Sequence, residues 1–226
     1  MLNNQKENKE FGGKEGMGVD LVKEANGDKA SVSSKAVQNV QISGINHVEN
    51  STAKNTAGQC LEACIAMWVN RAIGRNLNAD DVYDDMELFG KQQSPVLQPQ
   101  NVQAEKMLQE YYHCGPCASY AALSPNQVLK QLQFGKPVIM YIKNSAGEKH
   151  AVIVKGIQIY DSFITYTVDD PNKKHDPKEL TERTITQYVN TASTASEKIS
   201  TYTTYYTKTK SETYNTWYAT ISGSIW

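Results

Sequence analysis

HAVIVKGIQIYDSFITYTVDDP, residues 150 to 171, decides how the rest of the chain is read. Two runs of β-branched and aromatic residues flank a short turn at Asp161-Ser162, the pattern of a β-hairpin. The second strand runs back beside the first, so its end lies near the start of the first. His150 is thereby brought close to Asp169 and Asp170, about twenty positions further along. Side chains alternate along a strand, so only one of the two carboxylates can share a side with His150. A two-residue turn favours Asp169 and a three-residue turn favours Asp170. A carboxylate beside an imidazole fixes its tautomer and stabilises its imidazolium, which is what the base of a nucleophilic pair requires. Taken singly, a histidine at a strand start is ordinarily structural, and Asp-Asp-Pro is an ordinary turn.

Strands surround this hairpin. PVIMYIK (137–143) precedes it, and TYTTYYT (201–207) and YNTWYATISGSIW (214–226) follow, rich in Thr, Tyr and Trp. Half-buried sheet positions explain those aromatics better than a binding surface does. Upstream the periodicity is helical. Leu61, Cys64, Ile65, Trp68 and Val69 mark an amphipathic helix ending near Gly74. A second helix starts at Asn78-Ala79-Asp80-Asp81, with Asn78 as N-cap, and stops at Gly90. KQQSPVLQPQN reads as a loop and NVQAEKMLQEYY (101–112) as a third helix. SPNQVLKQLQFGKP (124–137) has Ser124 as N-cap, Pro125 at the first helical position and Gly135 past the end. VQNVQISGINHV (37–48) leads in as an edge strand. Helices first and an antiparallel sheet after them make an α+β fold.

The chain has 226 residues, 39% hydrophobic and 21% charged, with a formal net charge of −1. That size supports one domain with an appendage and a core needing no disulfide or metal staple. The charge leaves no footprint for nucleic acid or an anionic membrane surface. The apolar runs are far shorter than the roughly 20 residues of a membrane span. Residues 1–40 are polar and read as a disordered arm or pro-segment ahead of a folded domain, 41–226. The first residues contain no secretory apolar region, although a signal removed before residue 1 would leave the same sequence, so secretion stays open.

The four cysteines form two close pairs, Cys60/Cys64 and Cys114/Cys117. Unpaired backbone N–H groups and the dipole at a helix N-terminus favour an anion, so a thiol there is a candidate nucleophile. Cys60 follows Gly58-Gln59 into the first helix and holds that place. Cys64, one turn on, reads as packing. HCGPC (113–117) matches a thioredoxin-like redox motif only with a strand before it and a helix after it. A helical segment is expected before it and only ASYAAL, too short for that helix, follows, so a disulfide across the turn or two reduced thiols is the reading. Cys60-x3-Cys64 within a helix is poor spacing for zinc. No cofactor or metal is called for. His113 and His175 read as surface residues.

QCLEACIAM, KHAVIVKGI and YTVDDPN together resemble the papain-like cysteine peptidases of bacterial type, notably effector proteases typified by AvrRpt2 and bacteriocin-leader peptidases. The resemblance spans about residues 42 to 173. It implies a papain-like fold, helical half against antiparallel sheet, and a protein or peptide substrate. It also implies Cys60 as nucleophile, His150 as base and Asp170, directly before Pro171, as orienting residue. Those families place a glutamine five or six residues before the cysteine to bind the oxyanion. Asn55 and Lys54 stand there in this chain, and Gln59 is the nearby glutamine, so Asn55 and Gln59 are the oxyanion candidates. Losing one such donor costs roughly 3–4 kcal/mol of transition-state stabilisation. A binding module or acyl transferase on the same fold is therefore the alternative, with a redox protein built on Cys114/Cys117 behind it.

Overall fold

The computed structural model describes residues 36–55, 58–93, 100–172, 182–188, 197–207 and 210–224. Most of the expected arm, the loop at 94–99 and His175 lie outside them.

Helix α1, Cys60–Ile73, stops at Gly74, whose φ of 69° suits a left-handed cap that only glycine adopts without strain. Every residue from Leu61 to Val69 is buried, so α1 is a central helix covered all round rather than an amphipathic surface helix. Ala63, Ala66 and Met67 fill the face expected to meet water. In α2, Ala79–Gln93, the Asn78 Oδ1 accepts the Asp81 N–H at 3.0 Å, and Asp81 Oδ2 accepts the Asn78 N–H at 2.9 Å. This reciprocal cap starts the helix as expected. The helix does not stop at Gly90 but runs on to Gln93. A Cβ on Gly90 would stand 3.1 Å from Gln103 Nε2, which donates to the Met86 carbonyl, so this glycine serves close approach rather than termination. The third helix comes as α3, Gln100–Lys106, continued by a π turn over Met107–Tyr111. The last, α4, spans Pro125–Gln133 with a full Ser124–Gln127 capping box.

The strands are β1 Gln38–Gln41, β2 Cys117–Tyr120, β3 Val138–Lys143, β4 Lys149–Ile159, β5 Phe163–Asp169, β6 Glu182–Tyr188, β7 Glu197–Thr207 and β8 Lys210–Gly223. All pairings are antiparallel, in the order β2-β8-β3-β4-β5-β6, with β1 on β4 and β7 on β8. Strands β2 and β6 had no reading from sequence: four residues, or an alternation of Thr, Arg and Gln, carry too little apolar signal.

One core packs α1, α2 and α3 on Ile139, Tyr141, Ala151, Ile153 and Ile221. A second packs α4 with Met140, Ile142, Val152, Val154, Tyr166, Val168, Tyr202, Tyr214 and Trp217. Strands β3 and β4 are thus buried on both faces, which is why VIMYI and AVIV read as continuous apolar runs. Helices against an antiparallel sheet make the fold α+β.

Candidate active site

Cys60 opens α1, where the first-turn N–H groups have no partner within the helix. Gln59 supplies no side-chain cap to them. His150 is the second residue of β4, and Asp170 follows the end of β5 directly. The structure brings the three together. Asp170 Oδ1 lies 2.9 Å from His150 Nε2, and the two side chains are 2% and 1% exposed, so water screens the pair little. His150 Nδ1 has no well-aligned hydrogen-bond partner. Burial pushes the His150 pKa down. The charge and hydrogen bond of Asp170, followed by a side-chain hydrogen bond and charge from Cys60, overcome that and raise it to about 10. Asp170 thus favours the charged form of the ring.

The turn of the hairpin holds two residues, as the Tyr160 N–H to Phe163 carbonyl bond at 2.9 Å shows. Alternation alone would then have set Asp169 on the side of His150. Register shifts before that point. Gly156 pairs Thr167, but Val154 pairs Val168 and Ile153 pairs Asp169, leaving Lys155 as an extra residue in β4. This one-residue bulge exchanges the faces of all that follows in β5. Asp170 therefore meets His150. Asp169 turns away, with Oδ1 2.7 Å from His47 Nδ1 and Oδ2 accepting the Lys155 ammonium at 3.2 Å.

Residues that the sequence did not mark complete the surroundings. The Tyr202 hydroxyl donates to Asp170 Oδ2 at 2.6 Å, and the Asn172 N–H donates to Oδ1 at 3.0 Å. Tyr214 stacks on the His150 ring, centroids 5.4 Å apart. Asn50 ties the two halves together. Its Oδ1 accepts the Gln59 N–H at 2.6 Å, its Nδ2 donates to Asn172 Oδ1 at 3.2 Å, and its N–H donates to the Pro171 carbonyl. Gly58, at φ 95°, leaves space for that side chain. An isolated asparagine in a polar stretch carries no sequence signal for this role.

Of the oxyanion candidates, Gln59 is buried, with Nε2 donating to the Ala79 carbonyl and Oε1 accepting the Lys54 N–H. Asn55 Nδ2 donates to the Gly58 carbonyl at 3.3 Å. Both carboxamides brace the loop entering α1.

A second bulge lies between β3 and β8. Tyr141 pairs Ala219 but Ile142 pairs Trp217, so Tyr218 is the extra residue of β8. Its ring stands 6.1 Å from that of Tyr141. Burial, and after it the charge of Cys60, push the Tyr218 hydroxyl up to about 12.

The other thiols are free and differ from Cys60 in setting. Cys64 is fully buried and its pKa raised by that burial. Burial likewise pushes Cys114 up to about 11 and Cys117 up to about 12. A π turn precedes HCGPC and strand β2 begins at its last residue, the reverse of a redox motif's setting. His113 is exposed, at φ 54°. Among the described residues no helix is long and apolar enough to cross a membrane, and no group of His, Cys, Asp or Glu is set to hold a metal. A cavity of about 260 Å³ lined by Gln41–Ile45 and Lys155 includes none of Cys60, His150 and Asp170.

The raised histidine has a measurable consequence. A ring whose folded-state pKa (about 10) stands above its ordinary 6.5 adds stability that is complete below pH 6.5 and is lost as pH rises toward 10. Wild-type thermal midpoints should fall across that window, and His150→Gln should flatten the fall. Identical pH slopes in the two proteins would remove the buried imidazolium.

A search of curated proteins gave no significant match. A solved structure of a candidate C39-like peptidase from Bacillus anthracis aligns at 11% identity over 65% of this chain and 87% of that one, with a TM-score of 0.43, too low to carry argument. The family model described as Peptidase_C39 like family matches residues 40–196. With more than half its length matched, this chain belongs to the Peptidase_C39 like family, and so to the papain-like cysteine peptidases.

Proposed function

We propose that the protein cleaves a peptide or isopeptide bond through an acyl-thioester formed on Cys60. The buried contact between His150 and Asp170, at the start of the strand that also meets Cys60, carries this reading. The thiolate attacks the carbonyl carbon. The His150 imidazolium protonates the departing amine, then takes a proton from the water that releases the acyl group. Asp170, held by Tyr202 and Asn172, keeps the ring oriented and charged. The Cys60 backbone N–H and its first-turn neighbours receive the oxyanion, and Asn55 and Gln59 hold the loop that presents them. Within the family, the segment preceding Pro171 and the His-Ala-Val strand favour an affinity with the AvrRpt2-type and bacteriocin-leader peptidases.

Thiol alkylation tests the reading without a known substrate. At pH 6 iodoacetamide should label Cys60 faster than Cys64, Cys114 and Cys117, whose ionisation burial opposes. His150→Ala should abolish the difference. Slow, equal labelling of all four cysteines in the wild type would leave a binding module.

A further inference from the structure

We infer that Tyr218, Lys143 and Lys149 form a subsite that takes a carboxylate of the substrate close to the bond being cut. The inference deepens the peptidase reading and rests on it. The β8 bulge sets Tyr218 beside Tyr141, and Tyr218 packs on the same core that Cys60 borders. Bulges next to active sites commonly re-aim a side chain in this way. Two ammonium groups stand at that ring, Lys143 Nζ 5.5 Å and Lys149 Nζ 5.6 Å from its centroid. The lysines face each other across the last β3–β4 pair, directly after Ile142↔His150. The lysines therefore flank the pair that holds the proposed base and, by strand alternation, share the face of Tyr141, which is the face that packs on α1.

What the lysines lack is an acid. Among the described residues neither enters an ion pair. The acidic residue closest in sequence, Glu148, accepts a hydrogen bond from Asn144. Tyrosine faces hold the ammonium groups in place and neutralise neither. Two ammonium groups with no ion-pair partner among the described residues attract a carboxylate and raise its local concentration.

The probe is the pair iodoacetate and iodoacetamide, alike in reacting carbon and differing in charge. The ratio of their rates at Cys60 should exceed that at Cys114. It should fall about two- to threefold for each of Lys143→Gln and Lys149→Gln, survive Lys→Arg at both positions, and shrink in high salt. Circular dichroism confirms that the variants are folded. A ratio that stays put in the double Lys→Gln variant overturns the subsite. If Cys60 is not singled out even by neutral iodoacetamide in the wild type, it is the peptidase reading that fails. A peptide library in free-acid and C-terminally amidated forms separates the sources of the carboxylate. Asp or Glu enriched near the cleaved bond in both forms indicates a side chain, and cleavage confined to the free-acid form indicates a chain terminus. Cleavage indifferent to both contradicts the subsite.

Discussion

Cys60→Ala should lower hydrolysis of a complex peptide library, read by mass spectrometry, by roughly 10⁴- to 10⁶-fold, the scale on which a covalent nucleophile's removal acts. The thiol is placed by backbone alone, as the first residue of a helix whose opening N–H groups have no side-chain cap. Helix α1 is itself held by nine consecutive buried residues, so the backbone that carries the sulfur is fixed. Truncating a half-buried side chain at the helix start should change stability by less than about 1 kcal/mol. Cys60→Ser keeps the shape but supplies a hydroxyl that does not ionise near neutral pH, and it should be almost as inactive. Cleavage within tenfold of wild type in the alanine variant would assign the chemistry to another group.

Asp170→Ala should cost about 3–5 kcal/mol of stability near pH 6, because it strands a buried imidazolium without its counter-charge. It should also lower hydrolysis roughly 10⁴-fold. The carboxylate accepts from His150 Nε2–H and the Asn172 N–H on one oxygen and from the Tyr202 hydroxyl on the other. Asparagine keeps an acceptor for the histidine and the Asn172 N–H but reverses the bond to Tyr202 and removes the charge. Asp170→Asn should therefore cost less stability than alanine while the ring loses its proton at lower pH. Denaturant unfolding at pH 6 and pH 9 measures both variants. An alanine variant as stable as wild type at pH 6 would show that no charged pair is buried there. Asp169→Ala serves as the contrast: it releases His47 and Lys155 and should weaken the fold while leaving the pH dependence of Cys60 alkylation alone.

Much of this site could be read in advance because its parts are local. A glycine and a glutamine before an apolar helical stripe place Cys60. Two β-branched runs about a two-residue turn bring an imidazole and a carboxylate together wherever the hairpin later packs. The capping box at Ser124 and the left-handed glycine after Ile73 likewise depend on a few neighbouring residues. Other features escaped for equally physical reasons. Asn50, Tyr202 and Tyr214 reach the site from distant strands and loops, and their own surroundings in sequence hold nothing to distinguish them from other polar or sheet residues. The end of α2 was misplaced because Gly90 is required by Gln103, which only packing brings there.

By itself, then, the sequence determined the element types of the helical half and the central hairpin, and the meeting of His150 with one of two neighbouring aspartates. Which aspartate it was remained beyond alternation, since a single extra residue at Lys155 reverses the facing of everything after it, and a bulge has no signature in a run such as VIVKGI. The tertiary structure decided that, and with it the placing of Tyr218 as the extra residue of β8 and the joining of the two halves through Asn50. Each depends on strand register or long-range contact, quantities set by the packing of the whole sheet and not by any short stretch of chain.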